Sequence, residues 1–188
     1  TGVCIDGKCR LVIITLFWHV TGRYLGFELP RKEFLSKTEH KPFTSFEYDR
    51  LHNLLGNSLS PLAQYTLDEL VPKKDSTKND VDAVSSATID AVLDHIVKGA
   101  VYTTYTLWHI VYGTTQIEIE NLTNKNLAPQ LILRLFVSDV LNDKIWALNH
   151  ISEETEITPE IRSIMFEFIQ DEDVYLTERA LNALKPGL

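Results

Sequence analysis

Asp82-Ala83-Val84-Ser85-Ser86-Ala87-Thr88 is the stretch whose residue types and spacing can do chemistry. A polar segment here runs into an apolar-periodic one. Ile89, Val92 and Ile96 fall on one helical face, Lys98 in the last turn and Gly99 just beyond. Ser85 or Ser86 can cap that helix. A helix start offers unpaired N–H groups and the positive end of a dipole, which together hold a phosphate without help from Lys or Arg. Ser85, Ser86 and Ala87 are small, so a bulky phosphorylated ligand can reach the backbone, and Thr88 supplies a hydroxyl in the first turn. The same residues also spell a plain Ser-capped helix, which many proteins contain.

The stretch resembles the flavinylation motif of the FMN-binding domain family. That family includes flavin-bearing components of the sodium-translocating NADH:quinone reductase and of the related Rnf electron-transport complex. Its pattern is Asp, two variable residues, Ser or Thr, usually Gly, then Ala-Thr, with FMN carried on the last Thr through a phosphoester. Asp82, Ser85, Ala87 and Thr88 match; Ser86 stands where Gly is usual, and Asp90 where a second Thr is common. The resemblance is strongest over residues 1–113.

The resemblance implies that a separate flavin transferase attaches FMN to Thr88 outside the cytoplasm, with Asp82 in the recognition element. It implies an extracytoplasmic electron carrier, periplasmic or at the cell surface, working with membrane redox partner proteins rather than as a self-contained enzyme. The protein would orient and tune the flavin, which does the chemistry. Two alternatives stand beside this: a flavin-free interaction module that uses its helical tail, and a reductase binding flavin noncovalently.

His40, in Lys37-Thr38-Glu39-His40-Lys41, is a candidate to neutralise a flavin phosphate or reduced ring; such a cluster is also an ordinary solvated loop. His109 is a candidate to sit beside a flavin, with Trp108 or Tyr102 stacking on it. An aromatic stripe at helical spacing equally describes core. The chain has neither a Gly-rich phosphate loop nor a Gly-x-Ser-x-Gly elbow.

The elements that position these residues divide into two parts. Residues 1–113 read as an α+β domain: a small antiparallel sheet with packed helices. Cys4-Ile5-Asp6-Gly7-Lys8-Cys9 reads as a hairpin around Asp6-Gly7, which places the two cysteines opposite each other. Opposed Cα atoms there lie ~4.5 Å apart, near the lower limit for a disulfide. A Cys4–Cys9 bridge would indicate an oxidising compartment; free thiols and a metal clip are the alternatives. Leu11–Trp18 reads as a central strand covered on both faces, followed by a turn at Val20–Arg23 and a return strand from Tyr24 to Leu29.

Thr44-Ser45-Phe46-Glu47 spells a capping box for a helix carrying Phe46, Leu51, Leu54 and Leu55 and ending at Gly56; Thr66–Glu69 spells a second. Residues 72–80 read as a loop. Val101–Tyr112 is rich in strand-formers, yet Tyr105, Trp108 and Tyr112 share a helical face and Gly113 follows, which favours a helix.

Residues 114–188 read as a helical extension, with helical patterning clear from about Leu122. Pro129 and Pro159 each suit a first helical turn, Leu131/Leu135 recur as Ile161/Met165, and Ala147-Leu148 recur as Ala180-Leu181. Two HEAT-like hairpins are expected. Because a solenoid needs about three repeats, they are expected to lean on the first domain or on further chain.

The net charge of −8 argues against nucleic acid as a partner, since phosphate backbones need a basic surface. Acid collects at the end: residues 151–188 hold nine Asp/Glu against three Lys/Arg. No apolar run approaches the ~20 residues of a membrane helix.

Overall fold

Local chemistry starts most of the helices. In the computed structural model, which describes residues 11–70, 92–152 and 154–184, α1 covers Ser45–Leu55. Its capping box closes on both sides. Glu47 N–H donates to Thr44 Oγ1 at 3.3 Å, and Thr44 N–H donates to Glu47 Oε2 at 2.8 Å. The short α2, Leu67–Leu70, starts on the same logic, with Thr66 N–H donating to Glu69 Oε2 at 2.7 Å. Cap sequences are legible in advance because donor and acceptor are only three residues apart.

The chain divides into two compact units, Thr1–Ile117 and Glu118–Leu188. It is α+β, with a helical C-terminal region. In the first unit, β1 (Thr15–Trp18) pairs antiparallel with β2 (Tyr24–Glu28), Leu16 opposite Phe27 and Trp18 opposite Tyr24, with an irregularity between Phe17 and Trp18. The expected central strand is shorter and less covered than its composition implied. Residues 11–14 lie outside the strand, Leu11 and Ile13 are exposed, and β1 alternates between exposed and half-buried positions. An apolar run sets propensity, but coverage on two faces needs two layers, and the described sheet has a core on one side. The Cys4–Cys9 hairpin lies outside the described residues.

The helix that packs on α1 is α3, Val101–Val111, of the same eleven-residue length. Its β-branched and aromatic residues prefer strands, but packing against α1 and α2 overrides that weak preference. Leu51 and Leu55 of α1 and Leu107, Trp108 and Val111 of α3 join Tyr24, Phe43 and Leu62 in one core. Phe46, expected on the inner face of α1, is 72 % exposed. Gly113 turns the chain from α3 into α4, Thr114–Lys125, which begins eight residues before the helical patterning is clear. A Cβ at Gly113 would lie 2.7 Å from the His109 carbonyl oxygen, so only glycine permits this corner.

After the end of α4, the second unit consists of two helical hairpins. α5 (Pro129–Phe136) pairs with α6 (Leu141–His150), and α7 (Pro159–Ile169) with α8 (Val174–Leu184). The hairpins stack in register, α7 against α5 and α8 against α6. Pro129 and Pro159 both occupy first-turn positions, where a missing N–H costs nothing. Phe136 and Phe168 meet edge-to-face across the stack, ring centroids 5.1 Å apart. Among the described residues no helix is long and apolar enough to cross a membrane.

Candidate functional site

Asp82, Ser85, Ser86, Ala87 and Thr88 lie outside the described residues, as does the loop at 72–80. The chain downstream of the motif is described and firmly held. Val92, Ile96 and Val97 are buried. The helix expected to run to Lys98 gives way to turns after Leu93. Tight turns follow, with His95 N–H donating to Val92 O at 2.8 Å and Ile96 N–H to Leu93 O at 3.2 Å; beyond them Val97 N–H donates to the Thr104 hydroxyl at 3.2 Å, and that hydroxyl donates to Ala100 O at 2.9 Å. Gly99 then adopts φ +76°, a left-handed conformation that favours glycine.

This turn receives the segment around His40. Thr38 N–H donates to Gly99 O at 2.8 Å, and Thr103 Oγ1 to Ser36 O at 3.4 Å. His40 is exposed, closes a single 3-10 turn and has φ +57°, uncommon for a non-glycine residue. Tyr102, 46 % exposed, stands on the first turn of α3 beside Thr103. The segment carrying His40 and the helix start carrying Tyr102 are thereby joined by backbone docking. Lys37 anchors the same loop to α1 through a 2.6 Å ion pair with Glu47. Hydrogen bonding from Lys37, then from the Thr44 backbone, holds the Glu47 carboxyl below its ordinary range.

Trp108 and His109 sit further along α3 in different surroundings. Trp108 is a core residue, 4 % exposed, its Nε1–H donating to Asn57 O at 3.0 Å and its ring packed by Tyr112 and His109. The neighbouring aromatic tips end on backbone carbonyls too. Tyr105 donates to Tyr65 O at 3.1 Å, Tyr112 to Leu55 O at 2.8 Å. Together these three aromatic side chains clamp the 55–65 connection onto α3. The His109 and Tyr105 rings are tilted against each other, centroids 4.2 Å apart, and His109 keeps a buried Nε2 without a hydrogen-bond partner.

Sequence reasoning missed one surface. Phe46, Asp49, Arg50, Asn53 and Leu54 of α1 and Asp94 line an open groove of about 350 Å³. Arg50 Nη2–H donates to the Asp94 carbonyl at 2.8 Å, while its Nε is buried without a partner. The usable signal was the i, i+4 spacing of Phe46 and Arg50 on one helix. What hid it was the expectation that Phe46 faces inward.

Among the described residues no group of three or more His, Cys, Asp or Glu side chains could hold a metal ion. Burial and the nearby Tyr112 push the Tyr24 phenol well above its usual range, and burial pushes Tyr112 up to about 12. Comparison with protein-family models, with curated proteins and with solved structures finds no match to this chain.

Proposed function

We propose that the protein is an extracytoplasmic electron-transfer module that carries FMN covalently on Thr88. The observation that carries this reading is the run Asp82-x-x-Ser85-Ser86-Ala87-Thr88 set at a predicted helix start. A helix N-terminus with small neighbours suits a phosphoester, and the hydroxyl of Thr88 is the group to be esterified. The exposed Phe46 ring, in an open groove lined by Arg50, Asp49 and Asp94, fits a flat ring. Tyr102 and His40 offer a second polar–aromatic rim around Gly99. Bound FMN would supply reversible electron carriage; the chain's own residues would hold it, exclude water and set its potential.

Loading by a flavin transferase and exchange with membrane redox partner proteins follow from the same reading. The test is the intact mass of the chain co-expressed and exported with an active transferase, beside Thr88→Ala. An FMN increment that survives denaturation and is missing in the variant supports Thr88 as carrier. An unmodified mass, with the transferase active on a known substrate, rejects it.

A flavin-free interaction module is the second reading. Ser86 and Asp90, which depart from the flavinylation pattern, favour it. So do the exposed apolar side chains of the helical unit, Phe166, Val174, Tyr175 and Leu181.

A further inference from the structure

The two helical hairpins are copies of one pattern, offset by 30 residues in the first helix and 33 in the second. Matching positions can therefore be compared for burial. Ala147 and Ala180 are both buried, as are Leu135 and Met165. These positions serve contacts that both hairpins make. Other pairs diverge. Phe136 is 2 % exposed, but its counterpart Phe166 is 51 % exposed; Leu148 is 3 % exposed, but Leu181 is 47 % exposed. Ile132 is fully buried, and its counterpart Arg162 is exposed.

The divergence has a geometric cause. Phe136 is covered by Phe168 of the following hairpin, and α6 is covered by α8. Positions buried only in the first hairpin are those on which the second one stacks. In the second hairpin the same positions form an outer face, and no described element covers it. Phe166 and Leu181 keep the apolar residue type that a stacking helix requires, and Val174 extends the stripe along α8. A repeat whose outer face stays in water has a polar one. This face is instead apolar, with one cation, Arg162 on α7, and one anion, Glu178 on α8. Both are exposed, and neither forms an ion pair among the described residues.

We propose that this outer face is a homotypic docking surface that receives the same face of a second copy of the chain. Continuity with the stacking interface inside the unit sets the kind of occupant: a helical hairpin with an apolar ridge. Charge sets which one. A face carrying one charge of each sign on its two helices complements itself, so two copies about a two-fold axis can set Arg162 of one protomer against Glu178 of its partner. The face is about 20 Å wide and about 16 Å long, two helices of eleven residues side by side. That is small against the ~800 Å² per partner of a standard interface, so the expected dimer is weak. The proposal is independent of the flavin reading, and neither test bears on the other.

Sedimentation equilibrium of the full chain, from low micromolar to sub-millimolar concentration, tests it. The wild-type chain should self-associate to a dimer. Phe166→Asp and Leu181→Asp, both at exposed positions, should leave the circular dichroism spectrum unchanged and give monomer. Arg162→Glu and Glu178→Arg should each weaken the dimer by about tenfold, and the two together should restore it. A wild-type chain that stays monomeric at every concentration overturns the proposal and leaves the face to another occupant. A dimer that persists in Phe166→Asp, or a double reversal that stays monomeric, overturns it as well.

Discussion

Trp18 on β1 donates its indole N–H to the backbone carbonyl of Val111 at the end of α3, 3.0 Å away and 93 residues on in the chain. The bond fastens the hairpin to the helix that organises the first unit. Trp18→Phe removes the donor and leaves the Val111 carbonyl without it. It should cost about 1–2 kcal/mol in urea unfolding, while the far-ultraviolet circular dichroism spectrum stays that of the native chain.

Glu47 joins the cap of α1 to Lys37, and its folded pKa lies below the unfolded value. A depressed carboxylate contributes stability that is present above the unfolded pKa and is lost as pH falls through the folded one. Stability should therefore decline below the ordinary carboxylate range, and Glu47→Gln should flatten that decline. Thr44→Ala, which removes the reciprocal half of the box, should cost about 1 kcal/mol at neutral pH. Unfolding midpoints measured across the acid range check both.

Tyr24 and Tyr112 should ionise late in a spectrophotometric titration of the native chain. Their folded pKa values are raised, Tyr112 to about 12, so the stability tied to their neutral phenols is complete below the unfolded value of 10.0 and is lost as pH rises above it. Tyr112→Phe should remove one late-titrating phenol from the absorbance change. The hydrogen bond to Leu55 O disappears with it, at a cost of about 1 kcal/mol.

Gly99 combines a left-handed φ of +76° with a tight approach, since an added Cβ would sit 3.3 Å from Thr38 Oγ1. Gly99→Ala should destabilise by about 1–2 kcal/mol. Because Thr38 docks on this turn, hydrogen exchange in the segment around His40 should speed up more than exchange in the hairpin repeats.

Arg50 bears on the flavin reading. If FMN rests against the α1 groove, Arg50→Gln should leave the covalent mass increment intact and lower the flavin midpoint potential, since a cation favours the reduced, more negative ring. An unchanged potential in a fully loaded chain places the ring elsewhere.

What the sequence determined by itself is what neighbours in the chain decide. Thr44 with Glu47, Thr66 with Glu69, and the first-turn prolines Pro129 and Pro159 act within one helical turn, so their residue types suffice. The Asp82–Thr88 run is local in the same sense, a matter of residue types and spacing, and it lies outside the described residues. Tertiary structure decided the rest. Phe136 and Phe166 are the same residue at the same repeat position, yet one is buried and the other exposed, because only the first has a hairpin stacked on it. Phe46 looked like core until the opposite face of α1 met α3. Val97, expected within a helix, instead gives its N–H to the Thr104 hydroxyl seven residues on, a pairing that no helix propensity records.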